Sequence, residues 1–136
     1  MRVQLALNVE NLDESIDFYT KMFNVGPYKV KEGYANFEVE QPPLKLVLFE
    51  QPGAGGSLNH LGVEVESAEQ VEAAEARITG EGLATTGVDD TLCCYAGKTE
   101  TWVEGPDTRW EWYVKTSDSE QANFESAAVC EPSNCC

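Results

Sequence analysis

The feature that most constrains this chain is a repeat. Gln4-Leu5-Ala6-Leu7-Asn8-Val9-Glu10-Asn11 and His60-Leu61-Gly62-Val63-Glu64-Val65-Glu66-Ser67 share one pattern. Polar and apolar residues alternate in both, and both end on a side chain suited to capping a helix. The offset from Gln4 to His60 equals that from Asn11 to Ser67, 56 residues. Leu5 matches Leu61, Leu7 matches Val63, and Val9 matches Val65 in class. A period of this size marks a duplicated supersecondary unit, so Gln4 and His60 hold equivalent positions on two related strands. His60 is also the only histidine of the chain.

Each copy continues in the same way. After a strand over 4–8, Asn11 caps a helix with Asp13 and Glu14 in its first turn. Leu12, Ile16, Tyr19 and Phe23 recur every three or four residues as its apolar stripe, and Asn24 with Gly26-Pro27 ends it. Strands are predicted over 28–31, 34–40 and 44–50, with turns at Glu32-Gly33 and Gln41-Pro42-Pro43. In the second copy the His60 strand leads into a helix over 67–79, stopped by Gly80 and Gly82. Strands then follow over 83–88, 95–104 and 109–115, with 89–94 as a connection. The predicted class is α+β: two tandem βαβββ modules forming a mixed-sheet, incomplete barrel. A single domain spans 1–115, as module one 1–50, linker 51–57 and module two 58–115. From Thr116 the periodicity is lost, and 116–136 reads as a flexible, Cys-containing tail.

Composition narrows the partners. Nine basic against 24 acidic residues give a net charge of −15. Such a field repels phosphate backbones and anionic lipid surfaces, which argues against nucleic-acid and membrane partners. No apolar run approaches a membrane span, and Met1-Arg2-Val3-Gln4 begins a strand rather than a signal peptide. The chain reads as cytoplasmic, with its five cysteines as thiols.

Three groups of residues could carry chemistry. In Trp110-Glu111-Trp112-Tyr113-Val114, alternation sets Glu111 on one face with Tyr113 and the two indoles on the other. Gln4, His60 and Glu111 together would offer an amide oxygen, an imidazole nitrogen and a carboxylate oxygen. Three ligands on one side of a metal leave positions open, as in the facial triad of non-haem Fe(II) enzymes. A lone histidine is equally readable as structural, and Glu111 as an exposed edge-strand residue. Cys93-Cys94 form the second group. Two thiolates can grip one soft atom if they sit in a turn or loop, since in a regular strand they point to opposite faces. One buried and one exposed cysteine without a role is the other reading. The third group is Cys130, Cys135 and Cys136 in the tail, which could capture a thiophile or do nothing.

The repeat, the opening Val-Gln-Leu-Ala-Leu-Asn-Val-Glu-Asn-Leu-Asp-Glu-Ser-Ile-Asp-Phe-Tyr, and Leu58-Asn59-His60-Leu61-Gly62-Val63 resemble the vicinal oxygen chelate superfamily over about residues 2–115. That superfamily includes glyoxalase I, bleomycin-resistance proteins and extradiol dioxygenases. Within it, Gly33-Tyr34-Ala35-Asn36-Phe37, Pro42-Pro43-Leu44-Lys45-Leu46-Val47-Leu48 and above all Cys93-Cys94-Tyr95-Ala96 resemble the ArsI carbon–arsenic lyases. Cadmium-induced relatives share much of this pattern. The resemblance implies an Fe(II)- and O2-dependent enzyme that cleaves the C–As bond of trivalent organoarsenicals such as methylarsenite, releasing arsenite. For a methyl group the implied carbon product is formaldehyde. By position, Gln4, His60 and Glu111 match the metal ligands, and Cys93 and Cys94 match the substrate-binding pair. Gln4 departs from the superfamily's commoner His. The family often forms homodimers. A cadmium- or arsenite-binding sequestration protein without turnover is the alternative.

Overall fold

The computed structural model describes residues 1–93 and 95–119. The described chain runs β1 (Arg2–Val9), α1 (Leu12–Phe23), β2 (Lys29–Lys31), β3 (Tyr34–Val39), β4 (Leu44–Glu50), β5 (Leu58–Glu64), α2 (Ala68–Gly80), β6 (Asp89–Cys93), β7 (Ala96–Glu104) and β8 (Arg109–Asp118). The α+β class and the tandem βαβββ order are present. Two units divide at Leu61/Gly62, inside β5: Arg2–Leu61 forms the first, and Met1 with Gly62 onward the second.

In the first unit the strands lie in the order β2-β3-β4-β1-β5. β1 pairs with β4 in parallel, Gln4 beside Lys45, while β3 pairs with β4 antiparallel, Glu38 beside Lys45. The mixed sheet follows from this. Helix α1 starts where Asn11 Oδ1 accepts the Glu14 N–H at 3.0 Å, and stops at Asn24, whose left-handed φ of 53° suits a short polar side chain. Its stripe of Leu12, Ile16, Tyr19 and Phe23 packs on Leu5, Leu7, Val9, Ala35, Phe37, Val39, Leu46 and Leu48. Phe37 is fully enclosed there, and its truncation to Ala should cost about 3–5 kcal/mol.

In the second unit the order is β5-β8-β7-β6. Ser67 Oγ accepts the Gln70 N–H at 3.3 Å to start α2, and Val71, Ala74 and Ile78 form its buried face. Val63, Val65 and Val71 make a small core against Trp110, Trp112 and Val114.

Three expectations are corrected. The strand predicted over 83–88 is absent: only Thr85 bridges, to Val103. Its backbone is diverted by hydroxyls. Thr85 Oγ1 takes the Gly87 N–H at 3.2 Å, Thr86 Oγ1 takes the Trp102 N–H at 3.0 Å, and Gly87 turns away at φ 79°. The strand forms instead over Asp89–Cys93, expected to be a connection. Cys93 therefore ends a strand, in register with Ala96, and residues 94 and 95 join the two strands. Tyr95 takes a left-handed φ of 65° there. Finally, β8 runs on to Asp118, three residues past its predicted end. Gly97 pairs with Ser117, where a Cβ would stand 2.5 Å from Ser117 Oγ. A side chain at position 97 would have to displace the Ser117 and Thr116 hydroxyls.

No helix among the described residues is long and apolar enough to cross a membrane. Cys94, Cys130, Cys135 and Cys136 lie outside the described residues.

Candidate functional site

Strand parity sorts the first unit's sheet into two faces. Leu5, Leu7, Val9, Leu46, Leu48, Ala35 and Phe37 belong to the apolar core. The opposite parity carries Gln4, Ala6 and Asn8 on β1, Lys45, Val47 and Phe49 on β4, and Tyr34, Asn36 and Glu38 on β3. This second face is polar yet closed, with Gln4, Asn36 and Lys45 all buried. Asn36 donates through Nδ2 to Tyr34 Oη at 2.9 Å, and its Oδ1 has no hydrogen-bond partner among the described residues.

Gln4 and His60 meet on this unit, each 2% exposed. Gln4 Nε2 lies 3.1 Å from His60 Nε2, and His60 Nδ1 lies 2.8 Å from Asn59 Oδ1. The sequence repeat makes these two residues equivalent, and their side chains touch. Two ligand atoms held at right angles by one ion at about 2.1 Å stand about 3.0 Å apart. The observed spacing suits that arrangement. A cation would require Gln4 to present Oε1 in place of Nε2, a half-turn of a near-isosteric amide. With that turn, Gln4 Oε1 and His60 Nε2 could hold a metal ion.

Glu111 lies in the second unit, fully buried on β8, with the indoles of Trp110 and Trp112 on the opposite parity as alternation predicts. Lys98 Nζ donates to Glu111 Oε1 at 2.6 Å and sits 4.7 Å from the centre of the Tyr113 ring. Two electrostatic contacts thus hold one buried ammonium. Glu100 completes the cluster. Its Oε1 accepts the Trp102 indole N–H at 3.1 Å, while its Oε2 has no hydrogen-bond partner among the described residues. Burial first, and then the Glu111 charge, outweigh the pull of Lys98 and push the Glu100 carboxyl up to about 8. Near neutral pH it is a neutral acid.

By register, position 93 shares a parity with Asp89 and Thr91, which pair with Glu100 and Lys98. Lys98 and Glu100 were not assigned a part from the sequence. The signal was their two-residue spacing with Trp102, which sets all three on the Glu111 parity. Among the described residues no three His, Cys, Asp or Glu side chains gather in a metal-holding cluster; a site using Gln4 draws on an amide oxygen instead.

Comparison with known proteins agrees with this architecture. A cadmium-induced protein, CadI, of Mycobacterium bovis is 55% identical over 120 residues, covering 88% of this chain and 79% of the relative. A protein named trivalent organoarsenical cleaving enzyme, from Thermomonospora curvata, is 50% identical over 134 residues, covering 96% and 89%. A solved methylmalonyl-CoA epimerase of Streptomyces coelicolor, 16% identical, superposes with a TM-score of 0.58 over 86% of this chain and 99% of that one, which speaks to fold alone. Residues 2–109 match the sequence model of one family, and the chain belongs to it: the Glyoxalase/Bleomycin resistance protein/Dioxygenase superfamily.

Proposed function

We propose that this protein is an Fe(II)- and O2-dependent enzyme that cleaves the carbon–arsenic bond of trivalent organoarsenicals and releases arsenite. The observation that carries this is the buried Gln4–His60 contact, in a chain half-identical over nearly its whole length to a protein named for such cleavage. Gln4, His60 and Glu111 would hold the iron, and iron bound there would supply the activation of O2. The chain's own residues do the rest. Cys93 and Cys94 take trivalent arsenic as a dithiolate, displacing two hydroxyls as water. Fixing arsenic in this way orients its carbon substituent and turns an encounter into a near-intramolecular step. Lys98 occupies one oxygen of Glu111 and sets the carboxylate's orientation. Glu100, neutral near pH 7, adds no second negative charge beside it.

For methylarsenite the balance closes without another reductant. One O2 supplies one oxygen to formaldehyde and one to arsenite; the methyl carbon is oxidised by four electrons and arsenic stays trivalent. We place this reaction in the cytoplasm, where thiols remain reduced. Anaerobic protein loaded with Fe(II), then given methylarsenite and air, should release arsenite and formaldehyde in equal amounts. An iron-loaded, reduced sample that releases neither overturns the proposal. Cys93→Ser or Cys94→Ser should abolish arsenical binding and spare iron, whereas His60→Ala should lose iron.

The 55% identity to a cadmium-induced protein favours one second reading, sequestration of a thiophilic ion without turnover. Stoichiometric retention of arsenite or Cd(II), with no product from the organoarsenical, is its mark.

A further inference from the structure

A chain of side-chain hydrogen bonds runs from the linker to His60, all within the first unit. Ser57 Oγ donates to the Ala54 carbonyl at 2.6 Å. Asn8 Nδ2 donates to Ser57 Oγ at 2.9 Å, and Asn59 Nδ2 donates to Asn8 Oδ1 at 3.0 Å. Asn59 Oδ1 is then left facing His60 Nδ1 at 2.8 Å. The polarity of this chain is forced from its far end. A backbone carbonyl can only accept, so the Ser57 hydroxyl must donate and its lone pairs must receive the Asn8 amide. Asn8 consequently turns its oxygen to Asn59, Asn59 turns its oxygen to His60, and His60 must carry its proton on Nδ1. The other ring nitrogen agrees: Gln4 Nε2 has only hydrogens to offer, so His60 Nε2 accepts from it at 3.1 Å.

The linker end of the relay is itself anchored. The Asn8 N–H donates to the Ser57 carbonyl at 2.9 Å, and the Gly56 N–H donates to the Asn8 carbonyl at 2.8 Å. Glu10 accepts from the Gly53 N–H at 2.8 Å and the Gly55 N–H at 3.1 Å, and a Cβ on Gly55 would stand 2.7 Å from the Glu10 carboxylate. The linker is thus bound to the end of β1 in one arrangement.

We propose that Asn59, Asn8 and Ser57 are positioning residues: a directed hydrogen-bond relay from the Ala54 carbonyl holds His60 in the Nδ1–H tautomer and aims the Nε2 lone pair toward Gln4. Neutral imidazole in water prefers the Nε2–H form, whose pyrrole-type nitrogen cannot ligate. The relay reverses that preference before any ligand arrives. Its value for metal binding rests on the proposed role of His60; the tautomer does not.

Because His60 is the only histidine, 15N-histidine labelling gives a single imidazole to observe. In metal-free protein at alkaline pH, a two-bond 1H–15N correlation should report a protonated Nδ1 and an imine-type Nε2. A protonated Nε2 overturns the proposal. Asn59→Ala should move the ring toward the Nε2–H form and weaken Co(II) binding about 10–100-fold. Asn59→Asp, which still accepts from Nδ1–H, should keep the parental tautomer. Asn8→Ala touches neither ring nitrogen, yet it frees the Asn59 amide to turn over and should shift part of the population. Ser57→Ala, at the exposed end where water can replace the hydroxyl, should shift less. Unchanged spectra in both Asn8→Ala and Asn59→Ala overturn the relay. His60→Ala reads the other question: parental Co(II) affinity in that variant removes His60 from the metal reading, while the spectra decide the relay alone.

Discussion

The two units hold their candidate site groups by different means. In the first, a series of hydrogen bonds from Asn59 back to the Ala54 carbonyl orients the His60 ring beside Gln4, and Lys45 is buried on the same face. In the second, Lys98 and Glu111 are a buried ion pair, and Glu100 stands beside them as a neutral acid. One topology thus supports a site held by directional bonds and another held by charge. The difference teaches where each is fragile. A hydrogen-bonded amide can turn over at small cost, whereas a buried charge that loses its partner cannot be solvated.

The largest effect should come from breaking the charged side. Lys98→Met keeps the length of the side chain and removes its charge, leaving Glu111 fully enclosed without its 2.6 Å partner. Losing one partner of a buried pair costs about 3–5 kcal/mol, to be read as a lower midpoint in denaturant titration. A loss under about 1 kcal/mol would mean that water reaches Glu111, and the contrast between the units would fail.

Glu100 sharpens the comparison through pH. Its folded value of about 8 lies above the ordinary 4.5, so between these the folded chain keeps a proton that the unfolded chain releases. Stability from this group therefore falls as pH rises from about 4.5 to about 8 and is level outside that window. At about 1.4 kcal/mol per unit of displacement the loss is a few kcal/mol, at most about 5. Glu100→Gln is neutral throughout. Relative to the parent, metal-free protein carrying it should be equally stable below pH 4.5 and more stable at pH 8. A variant-minus-parent difference that does not change with pH would show that Glu100 is not held neutral.

What could be read from the chain beforehand follows the same divide. The repeat of Gln4 and His60, the Asn11 and Ser67 caps and the strand over 44–50 depend on spacing of two or of three to four residues, which sequence displays directly. The parity of Glu111 against Trp110 and Trp112 came from the same source. Lys98 and Glu100 also sit at a spacing of two, but a charged residue in a strand is ordinarily a solvated one. Only the enclosure of that face makes them part of the site. The segment over 83–88 was expected as a strand, whereas the Thr85 and Thr86 hydroxyls and the φ of Gly87 decide otherwise. Position 93 had to be located by register, which no local pattern carries.

A smaller effect is expected from the neutral side. Gln4→Leu removes the amide and leaves His60 Nε2 without its 3.1 Å donor. Losing one buried hydrogen bond costs about 1 kcal/mol, less than the Lys98 change because no net charge is stranded. Equal losses for Gln4→Leu and Lys98→Met in the same titration would erase the distinction between directional and ionic support.

The smallest difference tests the repeat itself, at the two helix caps. Asn11 Oδ1 accepts from Glu14 N–H at 3.0 Å, whereas Ser67 Oγ accepts from Gln70 N–H at 3.3 Å. Gln70 further reaches back through Oε1 to the Glu66 N–H at 2.7 Å, so the start of α2 keeps a side-chain bond when Ser67 is cut back. Asn11→Ala should therefore cost about 1 kcal/mol and Ser67→Ala about half as much, as shifts in denaturant midpoint at unchanged slope. The order of the two matters more than either size. If Ser67→Ala cost as much as Asn11→Ala, the Gln70 bond would contribute nothing. Combining Ser67→Ala with Gln70→Ala should then add no further loss, whereas a functioning second bond makes the double variant distinctly weaker than the single one.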